Sequence, residues 1–239
     1  MKLATWNCCG KFGTNLPHLL GEGVDVAVVC EASSLPEWPT GAGDRAVTHL
    51  SHRVTPESPK ELAVLACAPW SVSRHERADS APAWTLPVRV DGPVPFVLVG
   101  VWTVVSPGQP SYVDQLDRAA DWIEQLDTSE PVVLAGDFNA PISSSQSQYR
   151  TVVSRLEDLG LVDAYRATRS LDADESPVDP TYFHHWRQDR PFHIDHLMVP
   201  SAWSDALTVQ VGDFGTWVAS RRSDHVPLIA DIKDDVADV

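Results

Sequence analysis

Short apolar runs broken by Gly, Pro, Ser or Asp dominate this chain, and they predict strands. The runs are Lys2–Cys8, Val24–Glu31, Glu61–Ala68, Trp84–Val90, Pro95–Val105, Pro131–Asp137, Pro180–His184, His193–Val199, Ala206–Val211 and Val226–Ile232. Helical spacing is rarer. It is clearest over Tyr112–Leu126, where Val113, Leu116, Ala119, Ala120 and Ile123 recur on one face and Ser111 is placed to cap the start. A second predicted helix spans Gln148–Asp158 on Val152, Val153 and Leu156, and a short one follows Thr14 through Leu16, Leu19 and Leu20. Ser33–Asp44, Pro141–Gln148, Leu171–Asp179 and Gly212–Arg222 read as loops. No internal repeat or linker divides the chain, so the pattern predicts one domain over 1–232 and a short charged tail, 233–239. Many strands with helices between distant pairs suggest an α+β protein, two packed sheets covered by helices.

Composition narrows the class. The 239 residues are 43% apolar, enough for a substantial core, and mean hydropathy is -0.15. No apolar run reaches the roughly 18 residues of a membrane-spanning helix. Met1-Lys2 leads directly into a strand-like run with no secretory signal, which predicts a cytoplasmic protein, read here as a monomer. Cys8, Cys9, Cys30 and Cys67 lie in strand-like runs without Cys-x-x-Cys spacing, as expected of buried free thiols rather than a zinc site. The net charge of -15 would repel a polyanion unless a local basic patch overrides it.

The chemistry concentrates at strand ends. Gly136-Asp137-Phe138-Asn139 closes one apolar run, with Asp137 and Asn139 projecting on one side. Asp137 is suited to orient or deprotonate water, and Asn139 to donate to a phosphoryl oxygen. Ser223-Asp224-His225 precedes another run, and a His held by a carboxylate can stay protonated against negative charge. In His193-Ile194-Asp195-His196, Asp195 faces away from Ile194 and its flanking histidines, making it a candidate partner for His225. Glu31 ends a third run, and Asn7 is a polar residue within a fourth that needs partners if buried. Taken singly, each segment also reads as a turn, a cap or a surface pair. Together their oxygen donors suit a hard cation such as magnesium.

Ala4-Thr5-Trp6-Asn7, the strand ending in Glu31, Gly136-Asp137-Phe138-Asn139, His193-Ile194-Asp195 and Ser223-Asp224-His225-Val226-Pro227-Leu228 occur in one order across nearly the whole chain. In this the chain resembles the endonuclease/exonuclease/phosphatase family of metal-dependent phosphoesterases. The resemblance implies a DNase I-like four-layer sandwich, two mixed β-sheets flanked by helices. It further implies Glu31, Asn7 and Asp224 as ligands of magnesium, with manganese as a substitute. Asp137 would activate water, Asn139 would stabilise the transition state, and Asp195 would orient His225 against the scissile phosphate.

Two positions depart from the family pattern. Trp102 stands where a His or Tyr usually meets the phosphate, and its indole donates a hydrogen bond but transfers no proton. His193 stands where these motifs often carry Arg. For the substrate, Arg221 and Arg222 are candidate phosphate clamps, and Tyr182, within the aromatic and basic run Thr181–Arg187, is a candidate stacking surface. The expected activity is hydrolysis of a phosphodiester, foremost in nucleic acid. The alternatives are a small-molecule or lipid-headgroup phosphate ester, or a catalytically silent binding domain on the same scaffold.

Overall fold

The apolar runs form strands whose alternate residues feed different cores. The computed structural model describes residues 1–33, 40–140, 147–172 and 175–233. In chain order its strands are β1 (Lys2–Asn7), β2 (Val26–Ser33), β3 (Gly41–Ala42), β4 (Arg45–His52), β5 (Lys60–Cys67), β6 (Ser71–Arg74), β7 (Thr85–Asp91) and β8 (Phe96–Trp102). They continue as β9 (Val132–Asp137), β10 (Leu161–Asp163), β11 (Tyr182–Phe183), β12 (Pro191–Phe192), β13 (Asp195–Pro200), β14 (Leu207–Val211) and β15 (Leu228–Ile232). The helices are α1 (Phe12–Gly21), α2 (Tyr112–Glu124), α3 (Ser147–Asp158) and α4 (Ala164–Arg169).

Among the described residues, β14-β15-β1-β2-β5-β4-β3 make a seven-stranded sheet and β10-β13-β9-β8-β7-β6 a six-stranded one. Both are mixed, since β1 runs parallel to β2, and β8 to β9, while their other neighbours are antiparallel. Leu3, Val28, Cys30 and Val64 from the first sheet meet Val88, Leu98, Val133, Ala135 and Leu197 from the second in one core. The outer face of the first sheet packs Ala27, Val29 and Leu65 under Phe12, Leu16 and Leu19 of α1. The outer face of the second packs Val99, Leu134 and Met198 under Leu116 and Ile123 of α2 and Val152 and Leu156 of α3. These are the four layers expected, each helix burying one apolar stripe.

Gly136 is required where it stands. At φ +151° in the middle strand of three, a β-carbon there would lie 1.8 Å from the Val101 carbonyl oxygen. Backbone held by its own ladder cannot yield as a side-chain tip can. We expect Gly136→Ala to cost about 3 kcal/mol or more. Urea unfolding measures this, and a loss below about 1 kcal/mol would mean that β8 and β9 part easily.

All the predicted strands form, most of them trimmed by a residue or two. The largest trim is at Pro95–Val105, where the strand ends at Trp102, and at His193–Val199 the strand begins only at Asp195. Cys9 lies beyond β1, half-buried at φ +50°, and is therefore not the buried strand residue expected. β4 escapes the hydrophobic pattern because it sits near a sheet edge and buries only Val47. β6, β10 and α4 are too short for periodicity to register; α4 starts where the Asp163 side chain accepts from Arg166 N at 3.1 Å. The predicted loop Gly212–Arg222 holds a π-helical turn, Gly215–Ala219, that seats Trp217 edge-on to Trp6 at 5.1 Å. Of the other predicted loops, residues 34–39, 141–146 and 173–174 lie outside the described residues, as do 234–239 of the tail. No described helix is long and apolar enough to cross a membrane.

Candidate active site

Strand parity and register bring the candidate residues to one end of the sandwich. Asp137 continues the inward-facing positions Val133 and Ala135 of β9. Its neighbours across the sheet are Asp195 on β13 and Trp102 on β8. Asn7 ends β1 on the opposing sheet, beside Cys30. Glu31 follows at a register shift between Val29 and Ala32, with φ +56°. His225 precedes β15 and bridges to Tyr182.

Asp137 is the hub. Its Oδ2 accepts from Asn7 Nδ2 at 2.9 Å and its Oδ1 from the Asn139 backbone N–H at 2.9 Å. Asn139, at φ +49°, donates its own Nδ2 to the Thr103 carbonyl at 2.9 Å, which leaves a second amide N–H. Asn7 accepts from Cys9 N at 3.0 Å, so both ends of this buried amide are held. Asp195 Oδ2 meets His225 Nδ1 at 2.8 Å, while Asp195 Oδ1 is buried with no hydrogen-bond partner among the described residues. Ligand atoms of Asp137, Asp195 and His225 all lie within 4.8 Å of one another.

Electrostatics follows from this crowding. Burial and the neighbouring Asp195 push the Asp137 carboxyl up to about 7, against the pull of His225 and the hydrogen bonds from Asn7 and Asn139. Burial opposes the His225 imidazolium, yet the charge and hydrogen bond of Asp195, with Asp137 and Asp224 behind it, raise His225 to about 9. An acid-leaning imidazole thus faces a carboxyl poised to hold or release a proton near neutrality.

The remaining candidates divide. Tyr182 stacks on His225 with ring centroids 4.5 Å apart, and its hydroxyl meets His184 Nδ1 at 2.9 Å. Trp102 is 7% exposed, at the C-terminal end of β8 opposite Asp137 in register, and its ring belongs to the core between the sheets. Glu31 and Asp224 are half-buried, and the Glu31 carboxylate is in contact with the Lys60 ammonium. Arg221 lies over the Trp186 ring at 5.3 Å, and Lys11 over the same ring at 4.7 Å. Arg222 is turned away, its guanidinium bonded to the Thr216 carbonyl and Ser220 Oγ of the π-helical turn. His193 is also not brought to the open end. It is buried, its Nδ1 meets the Asp179 carbonyl at 2.7 Å, and its ring packs on Tyr165 and His196. His196 points to the other face of β13, against Asp163 at 2.9 Å.

Three supporting residues escaped the sequence reading. Ser223 Oγ donates to the Asn7 carbonyl at 2.6 Å and accepts from His225 N at 3.1 Å, tying the two strand ends together. Its signal was its place in the Ser-Asp-His segment. Thr181 Oγ1 accepts from the Ile194 and Asp195 N–H groups, and Lys60 holds Glu31; Thr181 opens the aromatic and basic run but is neither aromatic nor basic, and Lys60 sits in no segment that stands out.

The donor set fits a hard divalent cation. Among the described residues, Asp137, Asp195 and His225 are the acidic and imidazole side chains whose ligand atoms lie close enough together to hold an ion; Glu31 and Asp224 bear oxygens of the kind such a cation prefers, and Asn7 Oδ1 keeps a lone pair beyond its bond to Cys9. The Lys60 ammonium on Glu31 shows that a cation is already accommodated at that carboxylate.

Two face-to-face sheets with carboxylates, amides and a carboxylate-held imidazole at one end define a phosphoester hydrolase. The chain belongs to the Endonuclease/Exonuclease/phosphatase family, whose model matches residues 4–225. Its fold is DNase I-like. An AP endonuclease from Archaeoglobus fulgidus superposes with TM-score 0.73 at 16% identity, covering 98% of this chain and 99% of that one. The 3′ phosphatase NExo from Neisseria, bound to product DNA hairpin, superposes with TM-score 0.67 at 20% identity over 98% and 99%. A 3′-5′ exonuclease, NExo from Neisseria meningitidis, gives TM-score 0.69 at 20% identity over 98% and 100%. No curated protein matches the sequence.

Proposed function

We propose that the protein is a divalent-metal-dependent phosphodiesterase acting on nucleic acid by one-step attack of water on phosphorus. The observation that carries this reading is the buried set in which Asn7 and Asn139 fix Asp137 while Asp195 fixes His225. Asp137 takes the proton from the attacking water. The free amide N–H of Asn139 and the outward nitrogen of the His225 imidazolium donate to the phosphoryl oxygens as charge builds. Glu31, Asn7 and Asp224 would hold magnesium or manganese, which supplies charge neutralisation at those oxygens. The ester P–O bond opposite the water breaks, and the departing oxygen takes its proton from solvent, because Trp102 donates at most one hydrogen bond and transfers no proton.

Nucleic acid is favoured by the Lys11–Trp186–Arg221 stack and by Phe192, which is 45% exposed on the neighbouring hairpin. These place cations and aromatic surface together despite the overall charge of -15. That overall charge favours a second reading, a small phosphate ester. Incubation with supercoiled plasmid decides between them. Nicking is expected with magnesium and not with excess chelator. Intact plasmid, together with intact linear duplex offering 3′ ends and intact duplex carrying an abasic site, in the presence of a folded, magnesium-binding protein would reject nucleic acid and leave the small ester.

A further inference from the structure

Lys60 lies outside every segment that carries the chemistry, yet it reaches Glu31, the carboxylate proposed above as a metal ligand. It opens β5 opposite Ser33, two residues beyond Glu31 on β2. The register shift at this point and the φ of +56° at Glu31 carry that residue out of the regular ladder. The Lys60 stem runs beside the Gly10 turn, where an added β-carbon would meet Cε at 3.4 Å. The ammonium ends on Glu31 Oε2. Both partners are half-buried, the side chains being 38% and 22% exposed, so solvent screens the pair only in part. Among the described residues Glu31 makes no other ion pair, and the Gly10 N–H donates to its backbone carbonyl at 3.0 Å, which fixes the turn beside the carboxylate.

We infer that Lys60 is a tethered counter-cation that competes with the divalent ion for Glu31 and so sets the metal affinity of the site. This builds on the reading of Glu31 as a metal ligand. A metal entering must displace an ammonium already bound, and the displaced lysine leaves a second positive charge close by. Both effects weaken metal binding compared with a site lacking Lys60. Removing the ammonium while keeping the carboxylate relieves both.

Calorimetric titration of the full chain with magnesium chloride tests this without any substrate. Lys60→Gln is expected to bind magnesium about tenfold more tightly than the parent. Lys60→Met, which keeps the aliphatic stem beside Gly10, should show the same gain, and Lys60→Arg should stay within about twofold of the parent. Unchanged or weaker binding in folded Lys60→Gln and Lys60→Met would overturn the proposal. Glu31→Gln separates the two levels of inference. If the parent binds magnesium and Glu31→Gln binds it equally well, Glu31 is not a ligand and the metal reading itself fails. If Glu31→Gln loses binding while the Lys60 variants match the parent, only the competition is refuted.

Discussion

Asp137→Asn is expected to lower the rate of phosphoester hydrolysis by about 10³-fold, the upper-middle range for loss of a positioned general base. The reason is specific to this carboxyl. It is 1% exposed, and burial beside Asp195 pushes its pKa up to about 7, which makes it a stronger base than an ordinary aspartate. An amide fills the same space but accepts no proton. It also keeps one of the two hydrogen bonds that Asn7 and the Asn139 N–H now make, so the strand end holds its shape. Single-turnover kinetics on a nicked or labelled substrate would measure the loss, with circular dichroism as the check on folding. A variant that retains a tenth or more of the parent rate would remove Asp137 from the role of base.

Asp195→Asn is expected to cost about 10²-fold in kcat and to move the alkaline limb of the pH profile toward neutrality. The sign follows from the cause of the shift. Burial alone would lower the His225 pKa, and it is the Asp195 charge and hydrogen bond that carry it up to about 9. With that charge gone, burial and the remaining neighbours decide, the folded pKa falls, and the imidazolium is lost at a lower pH. Activity that needs the protonated ring then declines from a lower pH as well. A pH–rate profile whose alkaline limb stays where the parent has it would show that His225 does not act as the imidazolium.

Much of this site was legible before any coordinates. Asp137 and Asn139 sit where one strand-forming run ends, Asp195 and His225 where others begin, and alternation already set Asp137 and Asn139 on one side and Asp195 away from Ile194. The separation of Asp195 from His196 also follows from alternation. What could not be read is register. Nothing local says that Asp137 lies opposite Asp195 or that Asn7 reaches across between sheets, because those pairings depend on which strands become neighbours. His193 misled for a related reason. It shares a motif with Asp195, but the strand begins only after it, and the ring turns into a pocket with Tyr165. Arg222 looked like a clamp by adjacency, whereas the Gly215–Ala219 turn, invisible to periodicity, captures its guanidinium. Lys60 was silent because a single lysine at a strand start has no pattern.

The order of strands in the first sheet has a temporal meaning. β1 lies between β2 and β15, a strand made much later than either, and His225 sits at the entrance to β15. A nascent chain therefore carries Asn7, Glu31, Asp137 and Asp195 before the imidazole and the strand that pairs with β1 exist. Until residues 225–232 leave the ribosome, neither the Asp195–His225 bond nor the β1–β15 ladder can form, so the two sheets meet at this end only late in synthesis.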